Sequence, residues 1–140
     1  MEKYDLTRYK QAHELVYETA LGEIKNGKKE THWMWYIFPQ IHDLGTTAIS
    51  HEYAIKDKDE AAAFLHDEYL GGHLREISTA LLQLETNDPL DIFVKPDDLK
   101  LRSSMTLFSL VAGEETLFQE VLDKFFKGSP DKKTLKIVGK

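Results

Sequence analysis

Apolar residues follow a helical period from the start of the chain. Between Leu6 and Asn26 they fall at Ala12, Leu15, Val16, Ala20, Leu21 and Ile24, the spacing of one buried face, and Gly27 supplies the left-handed conformation that favours a helix C-terminus. Thr31 is placed to cap a second, short helix over Trp33 to Phe38, which Pro39 must limit because proline lacks an N–H and clashes with the preceding turn. Residues 42–55, HDLGTTAISHEYAI, mix β-branched and polar side chains without a helical period and read as a structured loop. Asp57-Lys58-Asp59-Glu60 has the form of a capping box, with Asp57 as cap and Glu60 reaching back, and predicts a helix through Ala61, Ala62, Phe64 and Leu65. Beyond Asp67, Leu70, Leu74, Ile77, Leu81 and Leu84 form a core-facing stripe on a longer helix. Asp88-Pro89 opens a short helix to Phe93, and Pro96-Asp97-Asp98 begins another that carries Leu101, Met105, Phe108 and Ala112 on one face and ends at Gly113. A helix over Glu115 to Lys127, stopped by Gly128, and a final turn opened by Ser129-Pro130 complete the chain. The pattern predicts an all-α fold, a single domain spanning 1–140 and built from about six to eight short helices, with no internal repeat or linker.

Composition narrows the chemistry. At 140 residues, 41% hydrophobic and 30% charged, the chain can bury a core without a disulfide or metal, and its 8 glycines and 4 prolines are too few for a turn-rich β architecture. The formal charge of -6, with basic residues spread along the chain, argues against nucleic acid as a partner, and the basic ending DKKTLKIVGK reads as a solvated helix face. Without cysteine there is no disulfide, thiolate catalysis or Cys-ligated zinc, and no pair of histidines four apart on a helix suggests a metal site. MEKYDLTRYK lacks the apolar region of a signal peptide and no apolar run reaches membrane-spanning length, so a cytoplasmic protein with no membrane partner is expected. No cofactor motif is present: there is neither a P-loop nor a Rossmann glycine pattern.

Three stretches are candidates for function. In THWMWYIFPQ, residues 31–40, successive aromatics must point all round a helix that turns about 100° per residue, so most of the rings read as core, while His32 and Gln40 at its polar ends can meet a ligand. In PDDLKLRSS, residues 96–104, Asp98 and Arg102 stand four apart and can form an ordinary surface ion pair. The sharper alternative is that Asp98 presents Arg102 to an anion, with Lys100, Ser103 and Ser104 completing the cradle. The loop from Gly45 to Tyr53 adds hydroxyls and His51, although such residues are ordinary loop-formers. A Ser104, His32 and Asp98 triad is imaginable, but neither a nucleophile elbow nor an oxyanion hole supports it.

The blocks HWMWYIFPQ at 32–40, YAI at 53–55, PDDLKLRSSMTLF at 96–108 and FFKGSPDKKTLKIVG at 125–139 resemble the family known as domain of unknown function 1810. The resemblance runs from Tyr9 to Gly139. It implies a helical single domain with helical-repeat-like packing and no established activity; some members carry the label calpastatin, though nothing here resembles that inhibitor's disordered repeats. His13 stands where a glutamine is expected, and residues 46–51 vary a loop usually richer in serine, which weighs against His13 and His51 and toward His32, Gln40, Asp98, Lys100 and Arg102. The leading expectation is a pocket between residues 32–40 and 98–104 for a small anionic or nucleotide-like ligand. In it Trp33 or Trp35 stacks on a planar group, Lys100, Arg102, Ser103 and Ser104 meet negative charge, and His32, oriented with Gln40, is the best general acid or base should the protein be an enzyme. The alternative is a non-catalytic module that offers a helical groove to a protein partner.

Overall fold

The computed structural model describes residues 5–45 and 47–139; Thr46 of the candidate loop lies outside them. The described residues form eight α-helices: α1 Thr7–Lys25, α2 Met34–Ile37, α3 Ala48–Glu52, α4 Lys58–His66, α5 Glu68–Leu82, α6 Asp97–Val111, α7 Leu117–Phe126 and α8 Lys132–Val138, with a 3-10 turn over Pro89–Asp91. No strand occurs among them. A single parallel bridge joins Ile41 to Ile55. From α4 onward the helices stack, α4 on α5 and α6, α5 on α7, α6 on α7 and α8, while α1 covers α5 and carries α2. This is the all-α arrangement that the sequence pattern and the family resemblance imply. Tyr9, Phe64, Phe108 and Phe118 run through the core as a chain of ring contacts 5.1 to 6.0 Å apart, the range in which edge-to-face and tilted pairs attract. No helix is long and apolar enough to cross a membrane among the described residues.

Local chemistry sets most helix ends as expected. Gly27, Gly113 and Gly128 adopt positive φ, and Asp57, Asp67 and Asp88 each accept a hydrogen bond from an amide of the turn they open. Glu60 departs from the expected box, accepting from the amide of Lys56, one residue before the cap, at 2.8 Å. The final helix is capped by Asp131 rather than opened by Ser129. Residues 42–55 are not simply a loop: Thr47 and Ser50 form a capping box around α3, a helix too short to show a period.

The buried face of α1 differs from the aliphatic count. Tyr9, Ala12, His13, Tyr17, Ala20 and Ile24 face the core, and Leu15 is 83% exposed. At 100° per residue Leu15 sits roughly 140° from the middle of that stripe, in which positions 9, 13 and 17 are rings carrying polar atoms. Leu15→Lys is therefore expected to change unfolding free energy by no more than about 0.5 kcal/mol in urea denaturation, a surface effect rather than a core one.

Candidate functional site

Residues 31–40 are fastened to α1 by Glu23. Its Oε1 accepts from the amides of Glu30 (2.8 Å) and Thr31 (3.0 Å) and from the indole Nε1 of Trp33 (2.8 Å), while Oε2 accepts from the Thr31 hydroxyl (2.7 Å). Burial acts to raise the Glu23 pKa, but these donors outweigh it and hold the carboxyl at about 2. Thr31 thus serves Glu23 and does not cap α2, whose cap position falls to Trp33 with no side-chain bond. Trp33, Met34, Ile37 and Phe38 are fully buried. Downstream, the Ile55 amide donates to the Gln40 carbonyl at 2.8 Å and the His42 amide to the Ile55 carbonyl at 2.9 Å, clipping the segment to the start of α4. Held at both ends, the stretch leaves Trp35 and Gln40 half-buried at the surface.

These two side chains form one wall of a groove of about 420 Å³. The rest of the lining comes from Pro96 and the start of α6, with Leu99, Lys100 and Ser103, from the 44–50 segment, and from Asp131 and Lys133 at the start of α8. Lys100 Nζ lies 4.9 Å from the Trp35 ring centroid and 3.3 Å from an Asp97 oxygen; the other oxygen of Asp97 meets Lys29 Nζ at 2.9 Å. Ser103 Oγ donates to Asp131 Oδ2 at 3.1 Å, and that same oxygen caps α8 by accepting from the Thr134 amide at 3.0 Å, so the Asp131 carboxylate is engaged in structure. Lys133 is exposed. The groove therefore offers an indole face, an amide that can donate and accept, several hydroxyls, two ammonium groups and an apolar rim of Leu44, Pro96 and Leu99. A crevice of about 20 Å³, the size of one water, adjoins it and shares Trp35, Gln40, Gly45 and Ser50 while adding His51 and Tyr53.

Of the residues singled out from sequence, Trp35, Gln40, Lys100 and Ser103 come together here; five others do not. His32 is exposed and does not line the groove. Trp33 is in the core. Asp98 is 6% exposed, with Oδ1 buried and lacking a hydrogen-bond partner, and it makes no ion pair with Arg102. Arg102 instead donates through Nε to the Ser129 carbonyl (2.9 Å) and through Nη2 to the Ser129 hydroxyl (2.7 Å), with its guanidinium 5.9 Å from the Phe126 ring centroid. Ser104 is fully buried, its Oγ without a partner. Helix phase explains the division: half-buried Lys100 and buried Ser103, three apart, lie on one side of α6, whereas Asp98 stands roughly 200° from Lys100 and Ser104 turns toward the packed helices. The sequence reading missed Asp131 and Lys133, which belong to the basic ending read as solvated, and undervalued the 45–51 loop. The signal for that loop was its run of hydroxyl residues beside His51.

Residues 3–138 match the family described as "Protein of unknown function (DUF1810)". The chain belongs to this family. The chain is similar to the conserved hypothetical protein Rv1873 from Mycobacterium tuberculosis, whose crystal structure superposes with a TM-score of 0.96 at 35% sequence identity over 99% of each chain. No curated protein matches the chain. The segments 32–40 and 96–108, which lie within the matched residues, both contribute side chains to the groove.

Proposed function

We propose that this DUF1810 protein binds a small anionic ligand with a planar group, nucleotide-like in chemistry, in the groove between residues 32–40 and 96–104. The observation that carries the reading is the convergence of Trp35 and Gln40 with Lys100 and Ser103 from some sixty positions further on, joined by Lys133, at one recess of ligand size. A planar group lies against Trp35, an anionic group meets Lys100 and Lys133, and Gln40 reads a donor–acceptor edge. Any proton transfer in the groove falls to His51, which lines the adjoining crevice, rather than to His32, which lines neither recess. A cytoplasmic setting goes with this reading, supported by the cysteine-free composition.

A thermal-shift screen of nucleoside monophosphates, sugar phosphates and short carboxylates tests it. A ligand at about ten times its Kd stabilises by about 1.4 kcal/mol, a rise of about 4 °C for a domain of this size. Trp35→Ala and Lys133→Glu are expected to abolish the rise; the same rise in both variants refutes the groove as the site. The rim supports one competing reading, a groove for an apolar peptide, because Leu99 is 52% exposed beside Pro96 and Leu44. Stabilisation by a peptide with none from any small anion would favour that reading.

A further inference from the structure

Away from the groove, α1 and α5 are joined by two imidazoles. His13 is 2% exposed and His73 is half-buried; their Nδ1 atoms are 2.9 Å apart and their rings lie within 3° of parallel. One hydrogen lies between those nitrogens. Its owner follows from the far side of His13, where Nε2 stands 2.8 Å from the Tyr36 carbonyl oxygen. A carbonyl only accepts, so His13 Nε2 carries a hydrogen; in the neutral ring its Nδ1 is then the acceptor. His73 Nδ1–H must be the donor, which leaves His73 Nε2 as the bare nitrogen of the pair.

The two rings differ in what a further proton does. On His73 it goes to Nε2, outside the pair, and both hydrogen bonds survive. Burial lowers the His73 pKa, against the raising pull of the Glu76 and Glu18 carboxylates, and the Tyr17 ring stacks on the imidazole with its centroid 3.6 Å away. On His13 the one vacant nitrogen is Nδ1, and a proton there confronts the His73 Nδ1–H across 2.9 Å, donor against donor. The groups facing His13 offer little relief: Tyr17 from α1, Phe64 from α4, Tyr69 from α5 and the Tyr36 carbonyl from α2, with Asp67 the near carboxylate and already 3.1 Å from Lys10 Nζ. Glu14 of α1 acts on Tyr69, and Glu18 of α1 acts on Tyr17 and His73.

We propose that the His13–His73 pair is a proton-gated clasp that ties the Tyr36 end of α2 to α1 and α5: it accepts one proton at His73 and opens when a second reaches His13. Because α2 carries Trp35, opening the clasp loosens one wall of the groove, but the clasp rests on the imidazole geometry and stands whether or not the groove binds a ligand. Burial lowers the His13 pKa to about 4, against the raising pull of the Tyr36 carbonyl. The unfolded chain, with an ordinary histidine near pKa 6.5, takes up that proton more readily. The contribution to stability is therefore complete above about pH 6.5 and is lost as pH falls toward 4.

Long-range ¹⁵N–¹H NMR of the imidazoles on the intact chain, titrated from neutral pH downward, tests the clasp. The expected result is an Nε2–H tautomer for His13 and an Nδ1–H tautomer for His73 at neutral pH, protonation of His73 first, and protonation of His13 near pH 4 with simultaneous shifts of the Ile37 amide, which follows the Tyr36 carbonyl, and the Trp35 indole. The opposite tautomers, protonation of His13 first or together with His73, or protonation of His13 that leaves α2 unmoved would each overturn the proposal. His73→Gln gives a second readout, since its amide can turn its oxygen to accept from His13 Nδ1–H: the His13 midpoint is expected to rise by about one pH unit or more, and an unchanged midpoint counts against the clasp.

Discussion

Replacing Gly71 with alanine is expected to destabilise the protein by about 3 kcal/mol or more, whereas the same change at the next residue, Gly72, is expected to stabilise it by about 0.5–1 kcal/mol. Both glycines lie inside α5, where alanine is the better helix former. What separates them is the approach of α4. A Cβ on Gly71 would stand 1.9 Å from the Leu65 carbonyl oxygen and 2.8 Å from its carbon, while a Cβ on Gly72 meets nothing within 4 Å. The obstruction is backbone at the end of α4, where Asp67 both ends α4 and caps α5, so no rotamer change relieves it. The helices must separate, loosening Phe64 and Leu65, both fully buried. Against a total stability of about 5–15 kcal/mol the loss is severe. Urea midpoints for the two variants check this directly, and two midpoints moving together would contradict the α4–α5 junction described here.

Glu23→Ala carries the second large effect, a loss of about 2–4 kcal/mol at neutral pH, because it removes the acceptor for two amides and a hydroxyl and leaves the Trp33 indole N–H buried without a partner. The pH dependence has a definite sign. With the folded-state pKa held at about 2, Glu23 binds its proton less readily than in the unfolded chain, so its contribution is fully present above the ordinary carboxylate range and is lost as pH falls through about 2. The gap in unfolding free energy between wild type and Glu23→Ala should therefore narrow from pH 7 to pH 3. A constant gap would mean that the four hydrogen bonds do not depend on the charge of Glu23.

The features legible in the sequence were those decided by near neighbours. Asp57 and Asp88 cap the turns they open, and Gly27, Gly113 and Gly128 take the left-handed conformation that few other residues tolerate. Burial of Trp33 and Phe38 followed from rings that surround a helix, but which aromatic escapes burial depended on how α2 lies on α1. That orientation is set by Glu23, eight to ten residues away and outside any local motif. The same limit divided PDDLKLRSS: Asp98, Lys100, Arg102 and Ser103 look equally available in the sequence, and only packing against α4, α7 and α8 decides that Lys100 and Ser103 face the groove while Arg102 turns to Ser129. His13 read as dispensable and is a buried link between three helices, because a histidine within an apolar stripe has no distinguishing pattern.

The two tryptophans allow the central claim to be tested in one titration. Trp33 is buried with its indole N–H on Glu23, and Trp35 is half-buried on the groove, so each contributes its own indole signal to a ¹⁵N–¹H spectrum. Titration with a nucleoside monophosphate, or whichever anion gives the largest thermal shift, is predicted to move the Trp35 signal together with the backbone amides of Gly45, Lys100 and Lys133 while leaving Trp33 in place. If neither indole moves at millimolar ligand, or if the shifts fall away from the groove, the groove is not the ligand site.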